Sequence, residues 1–201
     1  MTGGFAFEEP VSIVPPSGGW RIGVNVPWSV SWTGEAHFEL AISKDFPGHV
    51  DLVQVARPGD GAPRFRALHV SRHRAGMAGL MCHVCGRATD KRDRYVFPVH
   101  SGGMAIMPDE SLRYAGNVPP VHLACAERAR NLCPHLRAHD ARPVAYPAEP
   151  SRLMPRIDVM AGMEKVARAM PQHFKIAYSC YRLFGPRFSE TVARMRREVG
   201  E

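Results

Sequence analysis

Two short runs, Cys82-His83-Val84-Cys85 and His122-Leu123-Ala124-Cys125, constrain this chain more than anything else in it. A C-x-x-C pair curls into a tight knuckle that aims both sulfurs at one point. A histidine and a cysteine at i and i+3 of a helix lie on one face, about one turn apart. Together they offer Cys3His, a standard ligand set for tetrahedral zinc. Cys133 follows Cys125 by eight residues. That is about 12 Å along a continuous helix, too far for two zinc–sulfur bonds of about 2.3 Å to meet. Pro119-Pro120 sets the start of that helix, so His122 and Cys125 fall in its first turn, and Cys133-Pro134 marks its end. The expected ligands are therefore Cys82, Cys85, His122 and Cys125, with Cys133 left as a spare or buried thiol. Four protein ligands leave no open position for water, so the zinc is expected to be structural. A redox C-x-x-C would want a βαβ context and gives no role to His122 and Cys125.

Composition agrees with a metal rather than a disulfide framework. Five cysteines are an odd number, and four of them lie in the segment around the metal spacing, which suits a reducing cytoplasm. With 45% apolar residues the 201-residue chain can bury a core. No apolar run is long enough to cross a membrane, and Met1 to Pro10 has neither the basic nor the apolar region of a signal peptide. The net charge of +7 admits an acidic partner, most simply nucleic acid.

Along the chain the expected class is α+β: an N-terminal antiparallel β unit, a central zinc module and C-terminal helices. The divisions fall at residues 1–75, 76–140 and 141–201. Val11 to Val14 and Trp20 to Trp32 favour strands, with Trp28, Val30 and Trp32 alternating against Ser29, Ser31 and Thr33 as in a half-buried strand. Phe38, Leu40 and Ile42 alternate less cleanly, and Val50 to Val55 reads as another strand. The three tryptophans are expected in the core. Arg64, Arg66, Arg72 and Arg74, with His69 and His73, form a dense basic stretch that suits phosphates if exposed. In the zinc module Gly86 lets the knuckle turn, Arg94 to Val99 reads as a strand, and Ala105 to Met107 is placed to pair back as a hairpin. The order knuckle, hairpin, helix is the treble-clef arrangement. Residues 142–150 form a proline-rich connector. Asp158 to Met170 reads as a helix stopped by Pro171. Phe174 to Phe184 fits either a strand or a buried helix, and a last helix is expected from Pro186 to Val199 on a stripe of Phe188, Val192, Met195 and Val199. Cys180 reads as a buried core thiol.

Over residues 82–126 the chain resembles HNH endonucleases that carry a zinc site. It shares the outline of Cys82/Cys85, Pro98 before the Gly102-Gly103 loop, Asn117 and His122/Cys125. The chemistry of that family departs here. Arg94-Tyr95 stands where the family has its Asp-His pair, and Ala126 follows the last ligand. The usual general base and catalytic-metal ligand are missing, so phosphodiester cleavage lacks its machinery. As a whole the chain is also similar to small proteins of actinobacteria and their phages, which brings no activity with it.

Three functions follow as expectations. One is a non-enzymatic protein with structural Zn2+ whose basic surface docks nucleic acid, or a protein associated with it, in a regulatory or phage–host role. Its contacts would come from Arg72, Arg74, Arg87, Lys91, Arg92, Arg94, Arg128 and Arg130. The second is an HNH-type nuclease with a displaced centre around His100, Asn117 and a second metal. The third is a protein–protein adaptor that uses the β unit as its contact surface. No nucleophile elbow, phosphate loop or dinucleotide glycine pattern is present.

Overall fold

The structure is a computed structural model that describes residues 17–157 and 175–200. It has the mixed α+β architecture expected, with mostly antiparallel sheets. The strands expected at Val11 to Val14 and the helix expected at Asp158 to Met170 lie outside the described residues. Among the described residues no helix is long and apolar enough to cross a membrane.

The N-terminal strands form two small sheets. β1 (Val30–Trp32) pairs antiparallel with β4 (Pro63–Leu68), with a bulge between Val30 and Ser31. β2 (Phe38–Ile42) pairs antiparallel with β3 (His49–Gln54). β10 (Lys175–Ala177) adds to the other side of β3 in parallel. The alternation that reads as a half-buried strand at β1 is covered on both faces, since Ser29 and Ser31 are as buried as Val30 and Trp32. Their hydroxyls are satisfied: Ser31 Oγ accepts from Gln54 Nε2 at 2.9 Å, and Ser29 Oγ pairs with His83 Nδ1 at 2.5 Å. In β2, an edge strand of its sheet, the apolar residues are exposed, because side chains on both of its faces meet solvent. Trp32 is core, whereas Trp20 and Trp28 are half-buried.

Helix α1 (Val70–Gly79) follows β4 directly, with His69 as N-cap. Its Arg72 and Arg74 are buried, which corrects the exposed basic face expected there. Arg72 grips Glu35 with both prongs, Nη1 to Oε1 at 2.7 Å and Nη2 to Oε2 at 2.8 Å. Arg74 meets Asp51 Oδ2 at 3.2 Å and donates to the Ala177 carbonyl at 2.6 Å, so one side chain ties β3 to β10.

The third sheet runs β6 (Gly103–Ile106), β7 (Leu112–Gly116), β11 (Ser179–Leu183), β9 (Arg152–Arg156), with all neighbours antiparallel. The segment left open between strand and helix is thus the pair β10 and β11. Helix α4 (Pro186–Glu198) lays Phe188 and Val192 onto Tyr114 and Phe184 of this layer. Each such buried side chain is worth about 1.5–3 kcal/mol relative to exposure. Val199, expected on the same stripe, is 60% exposed.

Around the metal motif, β5 (Tyr95–Val96) pairs with β8 (Val144–Ala145). Helix α2 (Leu123–Leu132) starts at His122 and contains Cys125, and the short α3 (Pro134–Ala138) follows it. The expected strand from Arg94 to Val99 is therefore two residues long, cut by the turn at Pro98. The hairpin expected between residues 94–99 and 105–107 does not form, since β5 pairs with β8. The hairpin that forms is β6–β7, and β7 carries on pairing into the four-stranded sheet through β11.

Candidate metal centre

The knuckle is closed by backbone hydrogen bonds. Cys82 N–H donates to the Arg87 carbonyl at 2.7 Å, and Gly86 N–H to the Cys82 carbonyl at 2.8 Å. Gly86 sits at φ 73°, a left-handed conformation that glycine adopts without steric cost. A Cβ there would lie 2.6 Å from Trp28 Cγ, so the Trp28 ring packs directly on the knuckle. His83 N–H donates to the Pro120 carbonyl at 2.8 Å. Tyr95 and Val121 exchange both of their backbone bonds at 2.8 Å. These contacts fix the first ligand pair against the segment that leads into α2. There Asp93 Oδ1 accepts from Leu123 N–H at 2.7 Å and satisfies one free donor of the helix start.

His122 is the N-cap of α2 and Cys125 lies in its first turn. One ligand atom from each of Cys82, Cys85, His122 and Cys125 falls within 4.8 Å of all the others. His122 Nδ1 is 3.5 Å from Cys85 Sγ and 3.9 Å from Cys125 Sγ. Zinc bonded at about 2.3 Å to sulfur and 2.05 Å to nitrogen puts tetrahedral S and N ligands about 3.6 Å apart. The observed separations straddle that value. The His122 tautomer also fits. Its Nε2 is 3.1 Å from the Ala88 carbonyl, which only accepts, so Nε2 carries the hydrogen and the Nδ1 lone pair faces the sulfurs.

The electrostatics do not keep three thiolates side by side without a cation. Burial raises the Cys82 thiol above its ordinary value, and burial together with the neighbouring Cys82 pushes Cys125 up to about 12. Burial also raises Cys85. There the Arg87 N–H and guanidinium, with the Cys82 and Cys125 thiols, outweigh it and bring the thiol down to about 6. Three sulfurs in one place cannot all be thiolates unless a positive ion compensates them. The four residues therefore fit a metal such as zinc in geometry, tautomer and charge. Cys82 and Cys125 are buried in one apolar cluster with Val84, Phe97, Val121, Ala126 and Ala141.

The remaining candidates scatter. Cys133, half-buried at the end of α2, is outside the four-residue group. Cys180 is buried, and burial pushes its thiol up to about 12, which makes it inert. His83, between the two knuckle cysteines, turns inward. Its ring meets Ser29, and burial holds it down to about 4. Of the cations proposed for nucleic acid, Arg87, Lys91, Arg92 and Arg128 are exposed. Arg94 is half-buried, hydrogen-bonded to Thr89 and laid over the Tyr146 ring. Arg130 pairs with Asp140 at 2.8 Å. Asn117 receives His73 Nε2 on its carbonyl at 2.8 Å, and His100 has His135 and His139 as ring neighbours.

Sequence reasoning missed Asp93 as acceptor of the Leu123 N–H, Trp28 against Gly86, and Arg87 as donor to Cys85. The first two are contacts across the fold that no local pattern announces, whereas Arg87 stands only two residues beyond Cys85. The chain matches no protein-family model, no curated protein and no solved structure.

Proposed function

We propose that this is a non-enzymatic protein whose Cys3His centre holds a structural Zn2+ and whose surface beside the knuckle docks nucleic acid or a nucleic-acid-associated protein. The observation that carries the metal is the convergence of four ligand atoms within 4.8 Å, with the His122 lone pair facing the sulfurs. With four protein ligands the ion has no position for water, so its role is to stabilise the fold. The docking part is supported by the net charge of +7 and by the exposed Arg87, Lys91, Arg92 and Arg128 around the centre. Arg72 and Arg74 leave the docking set, because each is committed to a buried carboxylate.

Metal content by mass spectrometry, on protein purified without a metal-binding tag, tests the first part: one zinc per chain is expected. Binding to a short mixed-sequence DNA duplex across a salt series tests the second. Three phosphate contacts from Lys91, Arg92 and Arg128 contribute a slope of about −2.7 in log K against log salt. Changing all three to Gln should remove most of that slope. Wild-type protein that shows no salt-dependent binding to either DNA or RNA would leave the zinc and remove nucleic acid as the docked partner.

A further inference from the structure

Among the described residues, strand β2 is the outer edge of its sheet, and every residue from Ala36 to Ile42 is exposed. Val55 N–H donates to the His37 carbonyl at 3.1 Å, and Ser43 N–H to the His49 carbonyl at 3.0 Å. Both contacts continue the unbroken register that pairs Phe38 with Gln54 and Ile42 with Val50. Hydrogen-bonded pairs alternate along an antiparallel ladder, so Glu39 and Ala41 turn their backbone groups to β3. The N–H and C=O groups of Phe38, Leu40 and Ile42 therefore point out from the free edge. The side chains of the same three residues stand on one face, and they are 45%, 36% and 79% exposed. We propose that β2 pairs antiparallel with β2 of a second copy of this chain, about a two-fold axis at Leu40, and so joins the two sheets into one.

The strand is its own complement in that register. Leu40 faces Leu40 of the second copy, and Phe38 faces Ile42 in both directions. Three outward pairs that each exchange two backbone bonds close the edge with six hydrogen bonds. Glu39, the only charged residue of the strand, falls opposite Ala41. Sliding one copy to the next register either sets Glu39 against Glu39 or carries Phe38 past the end of the strand. Like charges directly opposite are destabilising, so the arrangement centred on Leu40 is the favoured one. That symmetry of apolar positions is what a second copy requires and a foreign strand does not.

Edge strands that stay unpaired usually carry a defence in the form of basic side chains, proline or a bulge. Strand β9, at an edge of the four-stranded sheet, has Pro155 and an arginine at each end. Strand β2 has no proline, no lysine or arginine, and no bulge in its register. The area sets the strength of the contact. At roughly 150–250 Å2 for a large side chain, Phe38, Leu40 and Ile42 together expose on the order of 300 Å2 per chain. A stable complex buries about 800 Å2 per partner. The dimer is therefore expected to be weak and to form in the micromolar range.

Sedimentation of the full chain over a micromolar concentration series tests the pairing. The mass of the wild type is expected to rise from one chain toward two. Leu40→Lys and Leu40→Glu each set like charges against one another on the axis. Both variants should stay monomeric throughout the series, with unchanged circular dichroism. Mixed together they should recover the dimer, because opposite charges then meet across the axis. A wild type that stays monomeric would overturn the proposal and leave the edge to an extended segment of other origin. Single variants that still dimerise would place the interface elsewhere and overturn it as well. Variants that remain monomeric in the mixture would overturn the register about Leu40 on which the proposal rests.

Discussion

Arg72 reaches back 37 residues to take both carboxylate oxygens of Glu35, at 2.7 and 2.8 Å, inside the protein. Glu35 is saturated beyond that pair: the backbone N–H groups of Trp32 and Arg57 donate to it, each at 2.8 Å. Arg72 in turn donates to the Val30 carbonyl at 2.9 Å. The pair thereby joins β1, the chain after it, and α1. Removing one partner leaves a buried charge unmatched, which costs about 3–5 kcal/mol. Glu35→Gln and Arg72→Met are each expected to lose that much in urea unfolding, and the double variant to lose less than the sum of the two. Strictly additive losses would show that the ion pair does not couple the two residues.

Loss of the metal should act on the same scale through a different part of the fold. Cys82 and Cys125 sit inside the apolar cluster, so without the ion their sulfurs and His122 are left to share protons in a buried space. Cys82→Ser and His122→Ala, or a strong chelator, are expected to strip the zinc and melt the segment from the knuckle through α2. Cys133→Ser, outside the ligand group, should change neither metal content nor melting temperature by much. Zinc retained in both ligand variants would place the metal elsewhere.

The grouping of Cys82, Cys85, His122 and Cys125 was legible in the sequence because each half of it is local: a knuckle and one helical turn each bring two of the four together. Helix α4 was legible for the same reason. Helix α1 was not. Its sequence, VSRHRAGMAG, has no apolar stripe, because the face it buries carries Arg72, His73 and Arg74. Their partners, Glu35, the Asn117 carbonyl and Asp51, are far away in sequence. The same residues read as an exposed basic run for that reason. In β2, alternation announced a strand correctly, but burial depends on what covers the sheet, and Ile42 is 79% exposed. The parallel addition of β10 to β3 depends likewise on contacts that no local pattern encodes.

Gly86 offers a sharp test of the knuckle. Any other residue there takes a left-handed φ at about 1–2 kcal/mol, and its Cβ would collide with the Trp28 ring at 2.6 Å. Gly86→Ala is expected to cost about 2–4 kcal/mol in all, since the ring must shift. Adding Trp28→Leu should recover part of that loss by removing the collision while leaving the φ penalty. If Gly86→Ala alone were as stable as wild type in thermal melts, the left-handed turn and the ring contact would both be wrong.

Acid should destabilise the protein in two stages. His69 is fully buried, and burial first, then the Arg72 charge, holds its imidazole below the ordinary 6.5. Burial does the same to His73. For Glu35 burial raises the carboxyl, but the bonds from Arg72, Trp32 and Arg57 outweigh it and hold it below 4.5. In all three the unfolded chain binds protons more readily than the folded one. The stabilisation is therefore complete above the unfolded value and is lost as pH falls through the folded one. The histidines begin to act below about 6.5 and Glu35 below about 4.5. Unfolding midpoints in urea are expected to be level above neutrality, to decline from about pH 6.5, and to fall faster below 4.5. Zinc release on acidification acts in the same direction, so His69→Asn separates the causes. His69 Nδ1 accepts the Arg72 N–H as the cap of α1, at 3.2 Å. Asn also caps well and does not titrate. The variant should keep the helix and show a smaller decline between about pH 6.5 and 5. An unchanged decline would exclude His69 as its source.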